Sequence, residues 1–222
     1  MTNKSEIKIP VGKIKITGNL VIPENAESIV IFSHGSGSSR FSPRNNYVAS
    51  VLNNENMATL LIDLLTPEED SLYENRFDID LLTSRLISVT DYILQTDKCK
   101  NFRAGYFGAS TGAASALKAA SRMTKRIYAV VSRGGRPDLA GSSLHALTSP
   151  TLLIIGSLDE QVIELNEEAF HMMRCEKKME IVEGASHLFE EKGTLEKVAL
   201  LAAAWFKKYL VSNKRQLSEI KT

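Results

Sequence analysis

The sequence predicts an α/β fold with a mostly parallel, twisted sheet and helices on both of its faces. The first observation is that short apolar, β-rich runs alternate with helical patterns along the whole chain. The second is that these runs lack the polar alternation of a strand with one solvent face, so they suit strands buried on both faces of a parallel sheet. Strand–helix alternation also implies right-handed crossovers, which place helices over both faces.

Two strands are predicted near the start of the chain, over Glu6–Pro10 and Lys13–Ile22, with Gly12 at the turn between them. Six further apolar runs complete the predicted sheet, and the first of them, SIVIFS, ends in His-Gly-Ser-Gly. These six strands are predicted over Ser28–Ser33, Thr59–Leu65, Arg103–Gly108, Ile127–Ser132, Thr151–Gly156 and Met179–Glu183.

Helices are predicted between the strands from apolar residues spaced three and four apart. The stripe along Asp78–Gln95 consists of Ile79, Leu82, Leu86, Val89 and Ile93. A second stripe, nearer the C-terminus, consists of Leu195, Val198, Ala202, Phe206 and Tyr209. Weaker helical patterns cover Tyr47–Asn56 and Glu164–Arg174, and a run of small residues predicts a helix over Ala113–Ala120.

The 222 residues are predicted to form one domain over 1–222, because no repeat or long linker interrupts the alternation. The polar tail over 212–222 is expected to fray. Hydrophobic residues make up 43% of the chain and charged residues 24%. A chain with this apolar content and little charge imbalance is not disordered as a whole.

Composition also limits the partners that we expect. Lys and Arg number 27 against 26 Asp and Glu, so the basic excess typical of a nucleic-acid binder is missing. The longest apolar run, Val198–Phe206, has nine residues, whereas a membrane span needs roughly 20, and the N-terminus lacks the apolar stretch of a secretory signal. Cys99 and Cys175 form no metal-binding pattern and suit thiols of a reducing cytosol. We expect a cytoplasmic protein, monomer or homodimer, without metal, cofactor, nucleic acid or membrane.

The candidate nucleophile is Ser110, in the G-x-S-x-G sequence Gly108-Ala109-Ser110-Thr111-Gly112. This motif follows a predicted strand and opens a predicted helix, which is the strand–turn–helix setting that it requires. Glycines on both sides let the chain turn sharply and leave the serine hydroxyl exposed. The alternative interpretation is that Ser110 only caps the helix.

A serine hydroxyl needs a base, and an acid orients that base. His187 lies just after the last predicted strand, where parallel sheets place ligands and catalysts. The motif around Ser110 resembles that of the α/β-hydrolases, in which the serine comes first, then the acid, then the histidine. This resemblance favours His187 over His34, which precedes the serine, and His171 lies within a helix. Asp159 follows the strand TLLIIG and is the predicted acid. Asp138, after the preceding strand, is the main alternative, and Glu160 is another.

An oxyanion formed on the substrate would need two backbone N–H groups. The amide of Thr111, directly after the nucleophile at a helix N-terminus, is one candidate. The loop His34-Gly35-Ser36-Gly37 supplies the other, with Ser36 as the first choice and Gly37 as the second. Small residues there let the main chain approach a substrate, so Gly35 and Gly37 are also predicted to contact it. The glycine spacing matches neither phosphate-binding consensus, which disfavours nucleotide binding.

Arginines also gather after two strands on the predicted catalytic edge. Arg40 and Arg44 follow SIVIFS, and Arg133 and Arg136 follow IYAVVS. Because arginine forms bidentate pairs with carboxylate and phosphate, Arg40, Arg44 and Arg133 are candidates for binding an anionic group of the substrate. The alternative is that these arginines pair with local acids such as Asp138 and Glu68.

Together these residues resemble the α/β-hydrolase fold, from about Lys8 to Leu210. Within that family, segments such as FSHGSGSSRFSPRNNYVA, YFGASTGAA, VVSRGGRPDLAG and HLFEE resemble the dienelactone hydrolase-like branch. They are most similar to small bacterial serine hydrolases that occur alone or fused to a phosphoribosyltransferase domain. Dienelactone hydrolase itself uses a cysteine nucleophile where this chain has Ser110, so the resemblance implies general ester chemistry. Only Arg133–Pro150 fills the place where related proteins commonly insert a cap domain, so no cap and an open, shallow site are expected.

The resulting hypothesis is a carboxylesterase-like serine hydrolase that acts on a small soluble ester through Ser110, His187 and Asp159. A thioesterase, lactonase or amidase would use the same residues, so these alternatives remain open. A non-catalytic protein that binds a ligand in the same pocket, or a protein–protein adaptor, is the competing class.

Overall fold

The computed structural model describes residues 3–211, and the predicted polar tail over 212–222 lies outside the described residues. Eight strands of this part of the chain form one sheet in the order β1-β2-β4-β3-β5-β6-β7-β8. The strands are β1 (Asn3–Val11), β2 (Ile14–Ile22), β3 (Ser28–Ser33), β4 (Ala58–Ile62), β5 (Arg103–Ala109), β6 (Ile127–Arg133), β7 (Thr151–Gly156) and β8 (Lys177–Val182). The first two strands are antiparallel to each other, β2 is antiparallel to β4, and all other neighbours are parallel.

Helices cover both faces of this sheet, as the sequence predicts. They are α1 (Pro43–Asn54), α2 (Pro67–Asp70), α3 (Ile79–Ile93), α4 (Thr111–Arg122), α5 (Glu160–Met172) and α6 (Thr194–Leu210). Helices α1 and α6 pack together on one face, and α3, α4 and α5 lie on the other. The fold class is therefore confirmed.

Alternate residues of the central strands enter opposite halves of the core. In β3, Ile29 and Ile31 pack under α3 and α4, whereas Val30 and Phe32 pack under α1 and α6. Every residue of β3, β4 and β7 is buried. The prediction that continuous apolar runs form strands buried on both faces is confirmed for these three strands.

The predicted end of β4 is wrong. The sequence predicts a strand through Leu65, but the strand ends at Ile62. Leu64 and Leu65 remain buried in the loop that follows, so the apolar run continues where the strand pairing stops. Hydropathy reports burial rather than strand pairing, and here the two differ by three residues.

The last strand is also misplaced by the sequence. It is predicted over Met179–Glu183 and lies at Lys177–Val182, where most of its residues are partly exposed. Strand β8 lies at one edge of the sheet, and within residues 3–211 it pairs only with β7. An edge strand can tolerate polar residues on its open side, which weakens the apolar pattern.

Two predicted helices begin too late. Helix α1 begins at Pro43 rather than Tyr47, because the Ser42 hydroxyl accepts the Asn45 N–H and proline suits the first turn. Helix α5 begins at Glu160 and ends at Met172. The sequence analysis missed α2 and the 3₁₀ helix Tyr73–Phe77, which are too short to show an apolar period.

The connection from β6 to β7 contains only a 3₁₀ segment, Pro137–Ala146, kinked at Gly141. No cap domain is inserted there, as predicted. Among residues 3–211, no helix combines the length and apolar character that crossing a membrane would require.

The packing of α6 on the sheet can be tested with two substitutions in the same helix. Phe206 is fully buried, and a side chain at Gly105 of β5 would come within 2.9 Å of its ring. Phe206→Ala should therefore lower the free energy of unfolding by about 3–5 kcal/mol. Leu200→Ala, at a residue 63% exposed, should change it by about 0.5 kcal/mol or less. Urea unfolding measures both, and equal effects would contradict this packing.

Candidate active site

The three predicted catalytic residues lie on loops at one edge of the sheet. Ser110 follows β5, Asp159 follows β7 and His187 follows β8. These strands are parallel, so their carboxyl ends share an edge, which is where open α/β sheets place ligands.

Ser110 lies in a tight turn between β5 and α4. Its backbone has φ 51° and ψ −126°, a conformation that costs a non-glycine residue about 1–3 kcal/mol. Space explains the flanking glycines: a Cβ at Gly112 would lie 2.2 Å from the Ser33 carbonyl oxygen, and one at Gly108 would lie 2.5 Å from Ala113 Cα. Although Ser110 occupies the N-cap position, its hydroxyl caps no helix N–H, which removes the alternative interpretation of this serine.

His187 is paired with Asp159. The Nδ1 atom of His187 lies 2.6 Å from Asp159 Oδ2, and both side chains are partly buried. Asp159 is the N-cap residue of α5, yet its carboxylate caps no backbone N–H and is hydrogen-bonded to His187 instead. The alternative acid, Asp138, accepts two hydrogen bonds from Arg136, at 2.9 and 2.7 Å. Of these two acids, Asp159 is therefore the one that orients His187.

Main-chain contacts bring the acid loop and the histidine loop together. The Leu158 N–H donates to the Ala185 carbonyl at 3.0 Å, and the Gly184 N–H donates to the Ser157 hydroxyl at 2.8 Å. A Cβ at Gly156 would lie 2.2 Å from the Ala185 oxygen. Only glycine permits this approach, so Gly156 indirectly sets the distance between Asp159 and His187.

The end of β6 lies between Ser110 and His187. The Ser110 N–H donates to the Arg133 carbonyl at 3.2 Å, and a Cβ on Gly134 would lie 3.6 Å from His187 Cε1. Within the described residues no hydrogen bond joins the Ser110 hydroxyl to His187. Ser110 and His187 thus both lie against the backbone of Arg133 and Gly134, but they are not hydrogen-bonded to each other.

The two predicted oxyanion residues contact each other. The Ser36 N–H donates to the Thr111 hydroxyl oxygen at 2.9 Å. Gly35 lies against the nucleophile, since a Cβ there would be 3.0 Å from Ser110 Cβ. Gly37 has φ 69° within a turn closed by the Ser38 N–H and the Gly35 carbonyl, which gives this glycine a conformational role.

His34 holds this loop in place. Its Nε2 accepts the Leu64 N–H at 3.1 Å, so its proton lies on Nδ1, which donates to the Gly35 carbonyl at 2.9 Å. Both ring nitrogens are thus used by the backbone, and burial lowers the pKa of His34. His34 is therefore a neutral structural residue rather than the base.

The three arginines predicted to contact the substrate have different surroundings. Arg40 forms ion pairs with Asp63 and, at 3.1 Å, with Glu6. Arg44 pairs with Glu190 at 3.0 Å, near the surface. Arg133 is buried, and within residues 3–211 its side chain donates only to the Asn45 side-chain oxygen, at 3.4 Å. The alternative of pairing with local acids therefore holds for Arg40 and Arg44, and Arg136 pairs with Asp138 as that alternative named, whereas Arg133 has no acidic partner among residues 3–211.

The sequence analysis missed the role of Phe189, two residues after His187. Its side chain is 1% exposed, and its backbone has φ 56°, which is uncommon for a bulky residue. Its N–H closes a turn onto the Ser186 carbonyl at 3.2 Å. The buried ring anchors the histidine loop, and the only sequence signal for it was an aromatic residue in HLFEE.

The described residues contain no group of three or more His, Cys, Asp or Glu side chains that could hold a metal ion. Cys99 and Cys175 are both free, and burial raises the pKa of each thiol.

The fold is similar to those of known α/β-hydrolases. No family model matches the sequence. The crystal structure of a dienelactone hydrolase from Anabaena variabilis is 50% identical, covers 95% of this chain and 99% of its own, and superposes with a TM-score of 0.92. This chain belongs to the dienelactone hydrolase-like α/β-hydrolases. The esterase Est1E from Butyrivibrio proteoclasticus shares the fold, with 18% identity, a TM-score of 0.78 and coverage of 91% of this chain and 98% of its own.

Two curated proteins of Mycobacterium tuberculosis are 52% identical over 201 residues, and both are provisionally named phosphoribosyl transferases. The match covers 90% of this hydrolase-family chain but only 45% of the relatives' length. This pairing agrees with the resemblance to hydrolases that are fused to a phosphoribosyltransferase domain.

The buried His34 should make stability depend on pH. Because its folded-state pKa is lowered, the unfolded chain binds more protons below the ordinary value of about 6.5, so stability falls as the pH drops from there. His34→Gln should cost about 1–3 kcal/mol, since it disturbs the Leu64 and Gly35 hydrogen bonds. It should also reduce the loss of stability between about pH 7.5 and 5.5, measured by urea unfolding. An unchanged pH dependence would contradict this assignment.

Proposed function

We propose that this chain is a serine hydrolase that cleaves small, water-soluble esters through an acyl-enzyme. The observation that carries the proposal is the 2.6 Å contact between His187 Nδ1 and Asp159 Oδ2. It lies on the same sheet edge as Ser110, whose backbone is strained and whose hydroxyl caps no helix N–H. A histidine whose Nδ1 is held by a carboxylate presents Nε2 as a base, and a serine at such a turn presents its hydroxyl.

In the first half-reaction the Ser110 Oγ attacks the ester carbonyl carbon while His187 Nε2 accepts the hydroxyl proton. Asp159 keeps the imidazole proton on Nδ1 and stabilises the imidazolium. The imidazolium then protonates the leaving alkoxide, which departs as the alcohol. Ser110 and His187 are not hydrogen-bonded in the structure, and we expect this contact to form in the complex with substrate, where catalytic hydrogen bonds tighten.

In the second half-reaction water attacks the acyl-enzyme. His187 accepts a proton from the water and returns it to Ser110 Oγ when the carboxylic acid leaves. Both half-reactions pass through an oxyanion, which the amides of Thr111 and Ser36 would stabilise. Thr111 is the first residue of α4, whose N-terminus favours negative charge. The Ser36 N–H must exchange its bond to Thr111 Oγ1 for one to the oxyanion.

The kind of ester that we expect as substrate follows from the lack of a cap domain over the site. No cap domain lies over the site within residues 3–211, and the connection between β6 and β7 holds only the 3₁₀ segment Pro137–Ala146. We infer a preference for soluble esters over long-chain lipids, in a cytoplasmic monomer or homodimer that needs no cofactor. The named phosphoribosyl transferase activity of the longer relatives would belong to the part of their sequence that this chain does not match.

A fluorophosphonate tests the proposal without a guess about the substrate. It should add once to the protein, on Ser110, as seen by intact mass and peptide mapping, and Ser110→Ala should abolish the adduct. An adduct would justify comparing esters, thioesters, lactones and amides, which use the same three residues. A folded protein that stays unmodified would contradict the proposal and favour a ligand-binding role.

The acid can be tested with a matched pair of substitutions. Asp159→Asn should lower kcat by about 10⁴-fold, because an amide cannot hold the required imidazole tautomer. Asp138→Asn breaks only the ion pair with Arg136, so kcat should change by less than about threefold. Steady-state hydrolysis of a 4-nitrophenyl ester measures both, and a larger loss in the Asp138 variant would reverse the assignment.

A further inference from the structure

Arg133 is a buried cation without an anionic partner. The residue is 7% exposed, and its Nε makes no hydrogen bond. One terminal nitrogen donates to Asn45 Oδ1 at 3.4 Å, and the guanidinium carbon lies 5.9 Å from the centre of the Phe189 ring. Among residues 3–211 no carboxylate pairs with it.

The neighbouring Arg44 is also a cation, so it adds to the cost of the buried Arg133 charge. Burial, and then the neighbouring Arg44 cation, lower the pKa of Arg133 to about 10. The Nε of Arg44 is also buried without a hydrogen bond. Arg44 and Asn45 belong to the first turn of α1, where the helix dipole adds positive potential. Two cations and a helix N-terminus therefore converge.

Two other arginines, Arg40 and Arg85, also have an Nε that is buried without a hydrogen bond, but each of them is paired with a carboxylate. Apart from Arg44, six arginines of residues 3–211 form ion pairs with nearby carboxylates, and these are Arg40, Arg76, Arg85, Arg122, Arg126 and Arg136. A buried charge without a counter-ion is strongly unfavourable, and a buried polar group left unpaired requires an explanation. Binding an anion from outside would provide the missing counter-ion.

The position of Arg133 connects it to the candidate active site. It is the last residue of β6, and its carbonyl accepts the Ser110 N–H. The next residue, Gly134, lies against His187. Glu190, three residues after His187, pairs with Arg44, and its side chain is 64% exposed. An exposed ion pair of this kind is weak, so a ligand can displace Glu190 from Arg44.

We propose that Arg133 and Arg44 form a binding site for an oxyanion group, carboxylate or phosphate, carried by the ester substrate. The proposal rests on the proposed esterase function and adds a substrate class to it. The anion replaces Glu190 as the partner of Arg44 and supplies Arg133 with the counter-ion that the fold does not provide. Guanidinium groups bind both kinds of anion through charge-assisted hydrogen bonds.

The test compares substrates that differ only in charge. One pair, 4-nitrophenyl hexanoate and 4-nitrophenyl hydrogen adipate, places the charge on the acyl side. The other, 4-acetoxybenzamide and 4-acetoxybenzoate, places it on the leaving group. The ratio of kcat/KM for the anionic ester to that for the neutral ester should fall by about 10- to 100-fold in Arg44→Gln and Arg133→Gln, for at least one pair. Arg126→Gln, just before the opposite end of β6, should leave both ratios unchanged.

Glu190→Gln supplies a change in the opposite direction. It removes the carboxylate that competes for Arg44, so the same ratio should rise several-fold. A merely structural role of the arginines would not produce opposite effects from Arg44→Gln and Glu190→Gln. These two side chains are the more exposed members of the cluster, so they decide the question even if Arg133→Gln fails to fold.

A binding measurement separates this site from the catalysis. Inorganic phosphate or adipate should raise the Tm of the Ser110→Ala protein, and adding Arg44→Gln should remove that shift. A shift with phosphate but not adipate would indicate a phosphate site, and a shift with adipate but not phosphate would indicate a carboxylate site. Turnover of neutral esters with ratios unchanged in every variant would overturn the anion site and leave the esterase proposal intact. If no ester is hydrolysed and no fluorophosphonate adduct forms, the esterase proposal fails. In that case an Arg44-dependent phosphate shift would still support the anion site, and its absence would overturn it.

Discussion

The close approach of α4 to the carboxyl end of β3 is the constraint on which the rest of the active-site edge depends. The helix begins so near the Ser33 and His34 carbonyls that only glycine fits at position 112. Ser110, two residues before Gly112, has a positive φ in the tight turn that leads into this helix. The same turn positions the Ser110 N–H on β6 and the Thr111 hydroxyl on the Ser36 amide. Strain at one residue is thus maintained by the packing of three strands and a helix.

Polar pairing at this edge separates the groups that hold the loops from those that remain free for chemistry. His34 uses both ring nitrogens to fix the loop after β3, and Asp138 is held by Arg136. Asp159, by contrast, leaves its own helix uncapped and holds His187. Arg133 stands apart from both groups because it is buried and has only an amide oxygen as a partner. The same edge therefore combines satisfied structural contacts with unsatisfied groups, as expected where a ligand binds.

Prediction from the sequence worked best where burial and backbone pairing coincide. Strand β7 has the predicted bounds, and α3 differs from its prediction by at most two residues at each end, because both have a complete apolar pattern. The bounds of β4 and β8 were wrong because Leu64 is buried in a loop and Met179 lies on an edge strand. The short elements after β4 were missed because they present no periodic face. Phe189 was missed because its function depends on a backbone conformation that composition does not reveal.

The sequence by itself determined the fold class, the glycine-flanked serine and the order of serine, acid and histidine, because these depend on local turn geometry and on strand-by-strand burial. It left three candidate acids, Asp159, Asp138 and Glu160, and it could not state which arginines have partners. Only the tertiary structure decided these points. The contact of Asp159 with His187 depends on two loops that meet through Gly156 and Ala185, and the isolation of Arg133 depends on packing against α1. Residues far apart in the chain create those environments, so no local pattern encodes them.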